Sequence, residues 1–103
     1  MLEIFLQGIR EKRLLSVDFV AKEDNLLRNR TCVPFDYGPS RKFRDQNDRF
    51  HFLDLDSPVG SHTLSILPSQ IYKIELKDET FAPCKYVTWT PSWHISRDWG
   101  ICS

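Results

Sequence analysis

Arg49 to Ile66 reads RFHFLDLD, SPVG, SHTLSI. Two β-type runs flank a Pro/Gly turn, the signature of a hairpin. With a loop from Ser57 to Gly60, Asp56 lies opposite Ser61. The register then places Leu55 against His62, Leu53 against Leu64, and His51 against Ile66. Alternation collects Leu53, Leu55, Leu64 and Ile66 on one face with the two histidines. The other face carries Phe50 and Phe52 beside Asp54, Thr63 and Ser65. Two aromatics among polar neighbours form either a binding platform or a surface covered by another part of the chain. A one-residue slip in register would change every cross-strand partner.

Working outward, Leu2, Phe5, Leu6 and Ile9 recur at helical spacing. They predict a short amphipathic helix ending near Lys12 or Arg13. Leu15, Val17 and Phe19 alternate with Ser16 and Asp18 as in a half-buried strand. Lys22 to Asn25 is turn-like. Arg28 to Pro34 reads as a returning strand, with Arg28, Arg30 and Cys32 on one face and Pro34 as its stop or its edge marker. Tyr37 to Ser40 carries a turn signal, and Arg41, Lys42 and Arg44 then cluster around Phe43. Leu67 to Gln70 predicts a kink or a single helical turn. Tyr72, Ile74 and Leu76 alternate with charged residues as a last strand. Five short strands with a kink before the fifth point to a mainly β fold. The expected form is a small SH3- or Sm-like antiparallel β-barrel, because closure removes exposed edges. Residues 1–82 make this domain. Residues 83–103 are an aromatic-rich extension expected to pack on it, since Trp89, Trp93, Trp99 and Tyr86 are poor candidates for open solvent.

The 103 residues include 14 Lys plus Arg and 14 Asp plus Glu, so net charge does not mark a dedicated nucleic-acid binder. Binding would depend on how charge is distributed over the surface. The opening MLEIFLQGIREKR has neither signal-peptide nor membrane-span character. Cys32, Cys84 and Cys102 are odd in number and contain no Cys-x-x-Cys pair. They read as free thiols of a cytoplasmic protein, and no metal site is expected from them or from a late grouping of Cys84, His94 and Cys102. The aspartates 45, 48, 54 and 56 match no calcium loop and suit turns and strand ends. The sequence has no nucleophile elbow and no phosphate-cradling glycine loop, so neither catalytic residues nor a cofactor is expected.

Several segments together resemble the WYL domain family. Arg13-Leu14-Leu15-Ser16-Val17-Asp18-Phe19 is similar to its first strand, and Arg30-Thr31-Cys32-Val33-Pro34 to the following R-x-V-x-P pattern. Phe50-His51-Phe52 lines up with the strand that names the family. His62-Thr63-Leu64 and Ile66 to Ile71 resemble the next segment, and Lys73 to Phe81 the trailing one. The signature Trp-Tyr is Phe50-His51 here, and His62 stands where the family has a ligand-contacting arginine. The resemblance implies an Sm- or SH3-like barrel acting as a regulatory, ligand-sensing module. Its ligand would be anionic, as single-stranded nucleic acid or a nucleotide is. Phe50 and Phe52 would supply stacking, and Arg28, Arg30, Arg44, Arg49 and His62 phosphate contacts. The alternative is a protein-interaction or self-association module using Trp89, Trp93, Arg97 and Trp99, without nucleic-acid affinity and without a membrane partner.

Overall fold

The computed structural model describes all 103 residues. The chain runs α1 (Leu2–Glu11), β1 (Arg13–Val20), β2 (Leu27–Pro39), β3 (Asp48–Asp54), β4 (His62–Ile66), a 3₁₀ turn (Pro68–Gln70), β5 (Ile71–Thr80), α2 (Pro83–Tyr86) and a 3₁₀ turn (Gly100–Cys102). The five strands form one antiparallel sheet in the order β4-β3-β2-β1-β5. The mainly β architecture with a leading helix is therefore as read. The closed barrel is not formed: β4 and β5, the outer strands, do not pair. The 3₁₀ turn between them is held by side-chain hydrogen bonds instead. The Leu67 N–H donates to Gln70 Oε1 at 3.1 Å, and Gln70 Nε2 donates to the Val20 carbonyl at 3.1 Å.

The helix stops at Lys12, whose backbone is left-handed (φ 54°) and whose N–H caps the Gly8 carbonyl. Phe5 and Ile9 on its inner face are fully buried. Gly8 allows the close approach, since a Cβ there would lie 3.1 Å from Leu15 and 3.2 Å from Pro34.

The hairpin pairs one residue out of the register read from the loop. Phe50 faces Ile66, Phe52 faces Leu64 and Asp54 faces His62, while His51 faces Ser65 and Leu53 faces Thr63. The slip regroups the faces. Phe50, Phe52, Leu64 and Ile66 now share the core side, and His51 and Leu53 take the other. Phe5 packs edge-on against Phe50 at 5.1 Å and Phe52 at 5.3 Å, which supplies the cover that selects this register.

β2 also departs from expectation, running through Pro34 to Pro39 rather than stopping. β1 pairs with β2 only as far as Cys32, so Pro34 has no strand on that side and its missing N–H breaks no ladder there. A bulge between Pro34 and Asp36 re-aims the strand.

Candidate functional site

The first cleft, of about 520 Å³, opens where the sheet fails to close, between β4 and the ends of β1 and β2. Arg28, Arg30, Arg49 and His62 line it, with Lys22 and Phe43. The sheet explains the grouping. Arg28 and Arg30 sit opposite Phe19 and Val17, on the face that elsewhere forms the core. At this end the face mixes Phe19, Ala21 and Ile66 with the arginines, and His62 joins it through its pairing with Asp54.

Each guanidinium is oriented by a carboxylate. Arg28 donates twice to Asp24, at 3.1 and 2.7 Å. Arg49 donates twice to Asp45, both at 2.9 Å. Arg30 donates to Asp54 at 3.2 Å. Asp54 is 1% exposed and also accepts from the Asp56 N–H at 2.8 Å. The Arg49 pair holds the Asp45 carboxyl well below the usual carboxylate range. At Asp24, the Leu26 N–H and then Arg28 lower the carboxyl in the same direction. A guanidinium has five N–H donors, so a bidentate carboxylate leaves others for a ligand. The Arg49 guanidinium also lies 4.2 Å from the Phe43 ring centre, which fixes a half-exposed ring at the cleft.

Phe50 and Phe52 are not a platform. They are 2% and 0% exposed, buried under Phe5 of the helix, and present no ring face to a ligand. Arg44 stands on the exposed loop and lines neither cleft. The structure thus brings together Arg28, Arg30, Arg49 and His62, and separates from them Arg44, Phe50 and Phe52. The residue overlooked was Phe43. Its signal was present, a lone aromatic within a basic cluster.

The tail packs on the body. Trp99 is buried, with its indole N–H donating to the Ile9 carbonyl at 2.9 Å and its ring edge-on to Phe81 at 5.5 Å. The Arg97 side chain is fully buried, 3.9 Å from the Trp93 ring centre and 4.5 Å from that of Trp99. It donates to the Phe35 carbonyl and to Asp36 Oδ1, the latter at 3.3 Å. Burial pushes Arg97 down to about 10, and Asp36 opposes that shift. As surface anchors for a partner, Arg97 and Trp99 are therefore lost, because both complete the interior. Trp89 stays half exposed.

Two of the three expected thiols are absent, since Cys84 and Cys102 form a disulfide with Cα atoms 5.8 Å apart. Their sulfurs are bonded to each other, so the grouping with His94 does not exist as a ligand set. Cys32 is the free thiol, and burial pushes its ionisation far up. The count that pointed to a reducing cytoplasm loses its force. No three His, Cys, Asp or Glu side chains converge as metal ligands, and no helix is long and apolar enough to cross a membrane. His51 is held at both nitrogens. Nε2 donates to the Gly38 carbonyl at 2.9 Å, and Nδ1 meets Ser65 Oγ at 2.8 Å.

Compared with protein-family models, with curated proteins and with solved structures, the chain gives no match.

Proposed function

We propose that this domain is a non-enzymatic binding module for an anionic ligand, single-stranded nucleic acid or a nucleotide, held in the first cleft. The observation that carries this reading is the convergence of Arg28, Arg30, Arg49 and His62 on one cleft of ligand size. The carboxylate partners of Arg28 and Arg30 aim these part-exposed guanidiniums and leave donors open to phosphate oxygens. Phe43, clamped by Arg49, takes the stacking role that Phe50 and Phe52 cannot fill. The WYL-like pattern of the strands points to the same ligand class.

The test is an amide-resolved titration of the labelled protein with a short mixed-sequence single-stranded oligonucleotide at two salt concentrations. Salt-sensitive shifts are expected at Arg28, Arg30, Phe43, Arg49 and His62. Arg28→Gln should weaken binding and reduce the salt slope by about 0.7. Absence of shifts at these residues at millimolar oligonucleotide would sink the reading.

A further inference from the structure

A second cleft, of about 450 Å³, lies on the other side of β4, between the loop after β2 and the C-terminal tail. Arg41, Lys42, Trp89 and His94 line it, and it meets the first cleft only at Leu64 and Ser65. We propose that this second cleft is a binding site in its own right for a phosphorylated flat ring, a nucleotide unit, with Trp89 as the stacking surface and Arg41 and Lys42 as the phosphate contacts.

The three tryptophans differ in a way that singles out Trp89. Trp93 donates its indole N–H to the Cys102 carbonyl at 3.0 Å and Trp99 donates to Ile9. Trp89 has no such acceptor and is 48% exposed. Its ring is nevertheless held in T-shaped pairs with Phe35 at 5.6 Å and Trp93 at 6.1 Å. A half-exposed ring already held by two aromatic neighbours loses little freedom when a second ring stacks on it.

The cations of this cleft also differ from those of the first. Arg41 donates to the Ser92 carbonyl at 3.2 Å, and neither Arg41 nor Lys42 forms an ion pair. The one acid in the lining, Asp36, is saturated. Its Oδ1 accepts from the Tyr37 and Ile95 N–H groups and from Arg97, and its Oδ2 from the His94 N–H at 2.9 Å. A phosphate entering here displaces no carboxylate. The loop is preformed, with Ser40 Oγ accepting from the Lys42 N–H at 3.1 Å. His94 is seated against Gly38, where a Cβ would come within 2.7 Å of its ring, and Nε2 donates to the Pro39 carbonyl at 3.2 Å. Its Nδ1 is left as an acceptor.

The ring and phosphate come either from a free nucleotide or from one unit of a strand that also occupies the first cleft. The full-length protein, disulfide intact, is titrated with adenosine monophosphate, adenosine, inorganic phosphate and a short single-stranded oligonucleotide. The readouts are the Trp89 indole N–H and the amides of Arg41 and Lys42, with the Trp93 and Trp99 indoles reporting the fold. Shifts are expected with the monophosphate if the source is free nucleotide, and with the oligonucleotide if it is a strand. Arg41→Gln with Lys42→Gln should weaken the effective probe about tenfold, as loss of charge-assisted hydrogen bonds does. Adenosine or phosphate binding as tightly as the monophosphate would overturn the ring-plus-phosphate assignment. So would shifts confined to Arg28, Arg30 and His62, a result that leaves the first-cleft reading standing. Shifts confined to Trp89, Arg41 and Lys42 would support this site and overturn the other.

Discussion

In the sheet, Phe50 and Phe52 are buried by alternation and by one helix laid across them. In the tail, Trp99 is buried and Trp93 half-buried with almost no regular structure. Their scaffold is a guanidinium between two indoles, an ion pair to Asp36 and a disulfide. The first region hides apolar area through repeating geometry, so many small contacts share the load. The second relies on a few specific polar and covalent links, each of which matters more. Burying Arg97 is favourable only because Asp36, the Phe35 and Ile95 carbonyls and two π-faces meet it. Regular elements tolerate the loss of one contact by degrees. A region built on one buried ion should let go as a unit.

The largest expected effects come from one substitution in each region. Phe52→Ala should lower global stability by about 3–5 kcal/mol, with sheet and tail melting together. Asp36→Ala leaves Arg97 charged and unpaired, a loss of about 3–5 kcal/mol if the tail stays docked. Release of residues 83–103 relieves it, so limited proteolysis should cut within the tail while sheet amides keep their protection from exchange. Simultaneous loss of sheet protection would erase the contrast.

A smaller effect is expected at the disulfide, which closes a segment of 18 residues. Its removal by Cys84→Ser with Cys102→Ser should cost about 3 kcal/mol, acting mainly on the tail. Thiol counting checks the pairing directly. The native protein should present no reactive thiol, the unfolded unreduced protein one, and the reduced unfolded protein three.

The smallest effect concerns the Arg49–Asp45 pair, in which Arg49 is buried and Asp45 exposed. Because Asp45 titrates below its ordinary value when folded, the pair's contribution is present above the usual carboxylate range and is lost only as pH falls through the lowered value. Arg49→Gln should raise the Asp45 carboxyl titration midpoint toward the ordinary value, with the Asn47 N–H still holding part of the shift. An unchanged midpoint would show that the Asn47 N–H, not Arg49, governs it.

Much of the sheet was legible because period-two alternation survives in a linear string. The helix end at Lys12, the β1 alternation and the 3₁₀ turn at Pro68–Gln70 all follow from local patterns. The hairpin register was not legible. A loop one residue longer or shorter satisfies the same turn residues, and the choice falls to Phe5, far away in sequence. The same slip misled the reading of the site. Phe50 and Phe52 look like ring platforms beside Arg49 until the helix covers them, whereas Phe43 looks like loop filler until Arg49 clamps it.

The sequence by itself determined the element types, the antiparallel order of hairpins, the aromatic extension and the arginines at 28 and 30 on one strand face. These depend on neighbours within a few positions, where sterics and alternation act. Only the tertiary structure decided that the sheet stays open, that Cys84 meets Cys102, that Arg97 is interior, and that a second cleft forms between the loop at Ser40–Phe43 and the tail. Each of these joins segments far apart in the chain, and what brings them together is the burial of apolar area that no local pattern encodes.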